Sequence, residues 1–343
     1  MGLANGKITG RRDRLARVFA KIGVTRLLEA MPQHPVLIVL NYHRIGDGAQ
    51  SEFDSGVYSA TVDEFEAQIS YLHRRYHIAS LPEVLDMLEG KIPKRPSILI
   101  TFDDGYIDNY LYAFPILRKY GVQGVFFLPT AFIGTGRLPW WDVVAYMLKK
   151  TRKKSIRVTY PEIAEFDLES HGLAIASMRL ASFYRRPITR DFDKVYAELE
   201  NVCEVRRPQD VSEPRFLNWG QAREMLQAGM AFGSHTHEHP MLSSLTPREQ
   251  QEEIRISRKI IEEQLGIKID TFAYPYGVKH AFSDESVHEI RQLGYRAAFS
   301  FYGGINRLSD IQPYDIRRCD VGDSYSMLRL RTALGLVSCS SWF

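Results

Sequence analysis

The sequence predicts an α/β fold built on a largely parallel sheet whose strands are joined by crossover helices. From residue 35 onward, short apolar runs alternate with longer segments of helical periodicity, a pattern typical of parallel sheets. Four of the apolar runs also end in polar, chemically reactive residues. In α/β barrels and open parallel sheets, the carboxyl ends of strands deliver such side chains to the active site.

The predicted strands are short apolar segments, and several of them run directly into polar loops. They occupy residues 35–43, 97–106, 124–129, 230–235, 271–277 and 296–301.

The predicted helices lie between these strands and carry recognisable start signals. They occupy residues 61–76, 80–90, 106–121, 246–266 and 283–294. Thr61 with Glu64 and Ser80 with Glu83 form capping boxes at the first two. Pro247 suits the first position of the fourth helix, because its missing N–H has no partner there in any case.

The pattern divides the chain into four parts. Residues 35–139 and 216–325 form the α/β domain, and residues 140–215, which break the alternation and are rich in charge, are predicted to be a helical insertion over its active-site end. Residues 326–343 form a C-terminal tail. Residues 1–34 precede the domain and contain a basic amphipathic helix.

Residues 11–31 have helical periodicity with two faces of different character. The apolar face holds Leu15, Val18, Phe19 and Ile22, and the basic residues off that face are Arg11, Arg14, Arg17 and Lys21. We favour a helix packed against the domain, because amphipathic packing helices are common. Peripheral contact with an anionic membrane surface is the alternative.

Composition limits the function classes and the compartment. With a net charge of +3 and no nucleic-acid-binding motif in 343 residues, the chain offers no case for DNA or RNA as a partner. Three widely spaced cysteines favour a reducing compartment. No apolar run approaches the roughly 18–20 residues of a membrane span. We therefore expect a cytoplasmic protein, at the inner membrane face if residues 11–31 bind lipid.

Three of the ten histidines occupy alternate positions in "GSHTHEHP", residues 233–240. On a helical turn, the spacing of His235 and His239 places both imidazoles on one face. Two imidazoles, one carboxylate and a water make an open site for one divalent ion such as zinc. The carboxylate would come from Asp103 or Asp104 in "TFDDG".

Two adjacent carboxylates facing one cavity repel each other unless a metal holds one of them, which leaves the other as a base. A bound divalent ion lowers the pKa of its water to about 7, and a nearby carboxylate can then complete the deprotonation. The ion also polarises a carbonyl oxygen on which negative charge develops. This chemistry predicts hydrolysis of an amide or ester.

Three segments together resemble the polysaccharide deacetylase family, the NodB-homology carbohydrate esterases. They are "TFDDGY" (101–106), "SHTHEHP" (234–240) and "FAYPYG" (272–277), and the similarity covers residues 35–320. The resemblance implies an irregular (β/α) barrel with seven or so parallel strands. It also implies metal-dependent removal of an N-acetyl group from an amino sugar of a polysaccharide or glycan precursor.

The resemblance implies a role for each matching residue. Asp103 would be the catalytic base. Asp104, His235 and His239 would be ligands of one divalent metal ion, most simply zinc. The backbone N–H of Tyr276 would help to hold the oxyanion.

The sequence departs from the family pattern at two places. Ala273 stands where many members have an arginine that orients the base, and Arg317 is the candidate replacement. The late histidine that supplies the general acid is absent. A subgroup takes this histidine from an early strand, so "LNYHRIG" (40–46) nominates His43. A structural histidine at the end of the first strand is the alternative.

Four further residues are candidates for substrate contact. Trp140 and Trp141 begin the insertion and would form either a sugar-stacking wall or core anchors for the insertion. Tyr106 and Pro275 lie inside the motifs and are the other two candidates.

Two other function classes fit parts of this pattern. A phosphoesterase using Asp103 and Asp104 with the histidine-rich loop would hold two metal ions per chain. A carbohydrate-binding protein with a degenerate site would bind oligosaccharide without turnover. The absent arginine at position 273 and the missing late histidine motivate this second alternative.

Overall fold

The structure is a computed structural model, and it describes most of the α/β domain and the insertion. The described residues are 11–25, 27, 35–170, 172–186, 188–189, 191–208, 214–321, 330–332 and 334–335. The predicted tail, residues 326–343, lies largely outside them.

Seven parallel strands form a closed barrel. Their order around the barrel is β1, β13, β11, β10, β9, β6 and β5, and β5 pairs with β1 to complete the circle. Outside this ring, β12 pairs antiparallel with β1, and β4 pairs with β5. The strands of the described chain are β1 (Val36–Tyr42), β2 (Arg44–Ile45), β3 (Tyr58–Ala60), β4 (His77–Ile78), β5 (Ser97–Phe102), β6 (Gly124–Leu128), β7 (Ser155–Val158), β8 (Ala164–Asp167), β9 (Ala231–Ser234), β10 (Thr271–Ala273), β11 (Ala297–Ser300), β12 (Asn306–Arg307) and β13 (Ile316–Asp320).

Helices connect the strands, and the predicted cap signals form as expected. Both predicted capping boxes are present, and a third, between Thr246 and Glu249, starts α9. The helices are α1 (Arg11–Lys21), α2 (Val62–Arg75), α3 (Leu81–Leu88), α4 (Phe114–Lys119), α5 (Trp140–Lys150), α6 (Leu173–Tyr184), α7 (Phe192–Cys203), α8 (Trp219–Gln227), α9 (Pro247–Leu265) and α10 (Asp284–Gln292). The predicted barrel with a helical insertion is therefore confirmed.

Alternate residues of the barrel strands point into the barrel. Leu37 and Val39 of β1 share one buried apolar cluster with Leu99 of β5, Phe127 of β6 and Phe299 of β11. Because side chains in a strand alternate between its faces, the next inward positions beyond this cluster are Asn41 and Thr101. The apolar plug thus ends where polar side chains begin, at the carboxyl end of the barrel.

The two ends of the insertion are tied to each other. Asp142, in the first turn of α5, accepts hydrogen bonds from the Arg215 guanidinium at 2.9 and 3.1 Å, and Asp142 is completely buried. Between these two residues lie α5, the β7–β8 hairpin, α6 and α7. The buried ion pair closes the insertion into a unit that lies beside the strand ends.

Most of the apolar face of α1 is exposed, with Phe19 alone of its four residues half-buried, which differs from the helix packed through that face that we favoured from sequence. Leu15, Val18 and Ile22 are 56%, 51% and 63% exposed, whereas Ala16 is buried. Thr25 pairs with Thr332 through their hydroxyl groups at 3.0 Å. Ala16 and Thr25 are therefore buried where this segment meets its neighbours, while Leu15, Val18 and Ile22 are exposed. Within the described residues, every helix is too short or too polar to cross a bilayer.

Candidate active site

Asp103 is the inward-facing residue just beyond β5, and its carboxylate is fully engaged. Arg318 of β13 donates two hydrogen bonds to it, at 2.7 and 2.8 Å, and Asn41 of β1 donates a third at 3.0 Å. All three residues are buried. A bidentate contact with a guanidinium fixes the orientation of a carboxylate and also stabilises its negative charge. Asp103 is therefore held in one orientation.

The arginine that orients Asp103 is Arg318, and the prediction of Arg317 was wrong. The two residues are neighbours on β13, so their side chains leave opposite faces of the strand. Arg318 is completely buried inside the barrel, whereas Arg317 is exposed, with its guanidinium 5.7 Å from the ring centroid of Tyr302. β13 was also absent from the predicted strands, so the alternation along it could not be used.

Asp104 turns back toward the cavity through a backbone conformation that is unusual for a residue with a side chain. Its φ is +70°. Gly105 follows at +65°, and a Cβ there would lie 2.7 Å from Leu128 Cδ2 and 2.9 Å from Ile133 Cδ1. The positive φ, with these close approaches, favours glycine at the end of "TFDDG". The tight turn points the two adjacent aspartates toward different neighbours.

The histidine loop has the same kind of backbone strain. Thr236 and His239 have φ values of +66° and +60°. The Thr236 hydroxyl accepts a hydrogen bond from His239 N–H at 3.1 Å. Glu253 of α9 accepts from the N–H groups of His237 and Glu238 at 2.9 and 2.8 Å. Such conformations cost about 1–3 kcal/mol each and persist where the surroundings enforce them, so these contacts hold the loop in place.

Asp104, His235 and His239 come together as a three-residue group suited to a metal ion. Asp104 Oδ1 lies 3.7 Å from His235 Nε2 and 3.4 Å from His239 Nε2. Tetrahedral bonds of about 2.0–2.1 Å to oxygen or nitrogen place neighbouring ligand atoms about 3.3 Å apart. Asp104 Oδ1 is buried without a hydrogen-bond partner, a costly state that a cation would relieve. These residues therefore fit a divalent ion.

The tautomer of His235 is set by a backbone contact. Its Nδ1 lies 2.7 Å from the carbonyl oxygen of Ala273, so Nδ1–H donates to that oxygen and Nε2 keeps its lone pair. Burial lowers the pKa of His235 to about 4, against the opposing effect of Asp103. A neutral imidazole with a fixed, free nitrogen is the form that binds a metal.

The two aspartates have opposite electrostatic environments. Burial alone would raise the pKa of Asp103, but the guanidinium of Arg318, together with His235, holds that pKa well below its usual value. For Asp104, burial and then the neighbouring Asp103 charge raise the pKa well above its usual value. Asp103 is therefore a stable carboxylate, whereas Asp104 needs a cation to remain charged.

A cavity of about 530 Å³ opens above these residues. His43, from the end of β1, lines it together with both aspartates, and burial lowers the pKa of His43. His237 lies to one side, with Nδ1 2.8 Å from the Thr130 hydroxyl. The structure thus places His43 at the cavity and His237 outside it.

Tyr276 enters the cavity through a tight turn. The φ of Tyr276 is +61°. The turn is closed by a hydrogen bond of 2.7 Å from the N–H of Gly277 to the carbonyl oxygen of Pro275. The N–H of Tyr276 has no acceptor among the described residues. Pro275 itself is buried and does not line the cavity, which disfavours its predicted contact with substrate; it shapes the turn.

The aromatic candidates of the insertion hold the cavity wall together. Trp140 donates to the Tyr276 hydroxyl at 3.1 Å, and Trp141 donates to the Tyr106 hydroxyl at 2.8 Å. Both tryptophans line the cavity but are only 8% and 6% exposed, which favours anchoring over sugar stacking. Tyr106 is completely buried behind Trp141. Its predicted contact with substrate was therefore wrong.

Sequence reasoning missed several residues that shape this site. Asn41 and Arg318 hold Asp103, and Arg185 and Met241 line the cavity. Asn41 of β1 pairs with Thr101 of β5 and therefore faces the same side of the sheet as Asp103. That alternation could have identified Asn41 from the sequence. Nothing local in the sequence marks Arg185, because the insertion brings it to the cavity only in three dimensions.

A seven-stranded barrel with this group at its carboxyl end defines the class of the protein as an α/β-barrel protein with a candidate metal site. Residues 90–298 match the sequence model of the polysaccharide deacetylase family. The chain belongs to that family, as the motifs predicted.

Individual relatives agree with this membership at low identity. The chain is 23% identical to YxkH of Bacillus subtilis over 262 residues, 76% of this chain and 62% of that one. It is 35% identical to a poly-β-1,6-N-acetyl-D-glucosamine N-deacetylase of Staphylococcus epidermidis over 149 residues, 39% of this chain and 47% of that enzyme. The aligned part is thus less than two thirds of either relative.

The fold also matches a solved structure. IcaB from Ammonifex degensii superposes with a TM-score of 0.56 at 20% identity, covering 91% of this chain and all of that one. At this identity the match concerns the fold alone.

Proposed function

We propose that the protein is a metal-dependent hydrolase that removes an N-acetyl group from an amino sugar of a polysaccharide or glycan precursor. The observation that carries the proposal is the group of Asp104, His235 and His239 beside an Asp103 fixed by Arg318. Membership in the polysaccharide deacetylase family supports it. A relative named for the deacetylation of poly-β-1,6-N-acetyl-D-glucosamine points to a similar substrate class.

Each polar group has a task in this reaction. A divalent ion held by Asp104, His235 and His239 would supply an activated water and polarise the acetyl carbonyl. Asp103 accepts the proton of the attacking water, and the N–H of Tyr276 donates to the carbonyl oxygen as its negative charge grows. His43 donates a proton to the amide nitrogen as the C–N bond breaks. Acetate and a free amine result.

The alternative classes have less support. Among the described residues, the group of Asp104, His235 and His239 is the one found that could hold a metal, so a two-metal phosphoesterase would lack a second set of ligands. The binding-protein alternative rested partly on Ala273. Arg318 takes the place of the missing arginine from another strand.

Two matched variants test the proposal by separating the base from the metal ligands. Acetate release from β-1,6- and β-1,4-linked N-acetylglucosamine oligomers is measured with zinc, with cobalt and after chelation. Asp103→Asn should retain one metal ion per chain and lose at least about 10²-fold in kcat, the typical contribution of a general base. Asp104→Asn should lose both metal and activity. Full activity in either variant, or two bound ions per chain, contradicts the proposal.

A further inference from the structure

One cation at the mouth of the cavity, Arg185, forms no ion pair with any of the residues that the structure describes. Arg185 follows the last residue of α6 and is exposed. Its guanidinium lies 5.6 Å from the ring centroid of Tyr276, and that ring lies 5.1 Å from the ring of His239. A single aromatic ring therefore separates Arg185 from one of the metal-site histidines.

Other arginines around the site are paired with carboxylates. Arg186 lies 2.6 Å from Glu162, Arg137 contacts Glu238 through two hydrogen bonds of 2.7 Å, and Arg215 is bound to Asp142. Arg185 differs from all of them. Within the described part of the chain, its guanidinium has neither a carboxylate at ion-pair distance nor a hydrogen-bond acceptor.

No described carboxylate that shares the cavity with Arg185 forms an ion pair with it, although the charge of Arg185 acts on Asp54 and opposes the rise in the pKa of Asp54 that burial causes. Asp54 Oδ1 accepts a hydrogen bond from Gly56 N–H at 2.8 Å. Asp103 is bound by Arg318, and Asp104 faces the two imidazoles. Asp320 lies at the exposed end of β13. The charge of Arg185 is therefore available to a molecule that enters the cavity.

Arg185 also stands where three cavities adjoin. It lines the cavity of about 530 Å³ above the catalytic groups, a second of about 710 Å³ beside Asp54 and α6, and a third of about 690 Å³ between Trp140 and α7. The three cavities share Arg185 as a lining residue and therefore adjoin at its side chain, between the barrel and the insertion. A saccharide chain lying along these cavities would pass the guanidinium.

We propose that Arg185 binds an anionic substituent, a carboxylate or a phosphate, on the saccharide that is deacetylated. The inference rests on the proposed deacetylase function and adds the charge of the substrate to it. A guanidinium donates two parallel N–H bonds to either kind of oxyanion, and the Tyr276 ring holds it in place by a cation–π contact. The same charge disfavours an ammonium group, so a neighbouring sugar that is already deacetylated is a poor fit.

The test compares neutral and anionic substrates on the full-length, zinc-loaded protein. The neutral probe is a β-linked trimer of N-acetylglucosamine. One anionic probe alternates N-acetylglucosamine with glucuronate, and the other is the trimer with a terminal phosphate. Acetate release gives kcat/KM for each, and calorimetry gives each Kd independently of turnover. The wild type should prefer at least one anionic probe by about tenfold, the scale of one charged hydrogen-bond contact.

Arg185→Gln should abolish that preference in both kcat/KM and Kd, and Arg185→Lys should retain part of it. Arg207→Gln removes the same charge from a guanidinium of the insertion that is paired with Asp193 and lines none of the three cavities, and it should keep the preference. Equal handling of all three probes by the wild type, or an unchanged preference in Arg185→Gln, overturns the inference while acetate release still supports the deacetylase. If no probe releases acetate, the deacetylase proposal fails. The calorimetric comparison then decides the role of Arg185 by itself: if the anionic probes do not bind, or bind no better than the neutral one, the inference about Arg185 is overturned.

Discussion

At the scale of single residues, backbone strain marks the site as clearly as chemistry does. Five described residues other than glycine have a positive φ, and four of them are Asp104, Thr236, His239 and Tyr276. Such conformations are uncommon for residues with a Cβ and concentrate at functional sites. Asp104, His239 and Tyr276 line the cavity, and the hydroxyl of Thr236 holds the backbone of His239, so local strain is used here to aim reactive groups.

The adjacent arginines of β13 provide a residue-scale prediction with its own control. Arg318→Lys keeps the charge but loses the two-pronged contact with Asp103, so we expect kcat/KM to fall at least about tenfold. Because Arg318 holds the pKa of Asp103 low against burial, weakening it raises that pKa. The base form is then lost at a higher pH, so the acidic limb of the pH–rate profile moves upward. Arg317→Lys should change neither quantity, and an unaltered profile in Arg318→Lys would show that Asp103 does not depend on this contact.

At the scale of elements, α9 supports the loop that carries the metal-site histidines. Glu253 accepts two N–H groups of that loop, from His237 and Glu238. Burial raises the pKa of Glu253, while these two hydrogen bonds act in the opposite direction. The helix thus stabilises the strained turn through hydrogen bonds to its backbone, although Glu253 has no hydrogen bond to the proposed ligands.

We predict that Glu253→Ala weakens zinc binding by about 10-fold or more, the usual cost of losing an outer partner of a metal site. Glu253→Gln, which keeps one acceptor, should recover most of the affinity. Glu252→Ala changes an exposed neighbour on the same helix and is the control. Zinc titration monitored by calorimetry measures all three. Equal affinity in Glu253→Ala and the wild type would mean that the loop holds its shape without α9.

The exposed face of α1 leads to a second element-scale prediction. Leu15, Val18 and Ile22 are more than half exposed, and the same segment is rich in arginine and lysine. Apolar and basic residues on one helix suit the surface of an anionic bilayer, so we propose that α1 rests on such a surface.

Sedimentation with vesicles tests the proposal for α1. The protein should bind phosphatidylglycerol-rich vesicles and not phosphatidylcholine vesicles, and a Leu15→Ser, Ile22→Ser double variant should lose most of this binding. Ile163→Ser removes an apolar side chain of similar exposure from the insertion and should bind as the wild type does. If the double variant binds equally well, α1 is not the contact.

At the scale of the whole molecule, the site joins distant strands. Asp104, His235 and His239 follow β5 and β9, and Asp103 is bound from β1 and β13. A ligand that binds the folded chain and not the unfolded one stabilises the fold. The metal site should therefore contribute to the stability of the barrel as well as to the reaction.

Zinc at 100 times its Kd stabilises the folded state by about 2.7 kcal/mol, which for a chain of this length corresponds to a Tm increase of about 4 °C. We expect chelation to remove this increase in the wild type and to have no effect on Asp104→Asn. Differential scanning calorimetry with and without zinc measures it. The same zinc-dependent increase in Asp104→Asn would place the ion elsewhere in the molecule.

The sequence by itself determined the barrel, the family and the residues proposed as metal ligands and base. Strand and helix patterns are local, and carboxylates and imidazoles show their chemistry by residue type, so both can be identified along the chain. The sequence could not determine which of these residues would be in contact in the folded protein. Asp103 and Arg318 are 215 positions apart, and the choice between Arg317 and Arg318 depends on which face of β13 points into the barrel. Tertiary structure alone decided that, as it decided that Tyr106 is covered and that the insertion brings Arg185 to the cavity, because these facts depend on how distant segments pack.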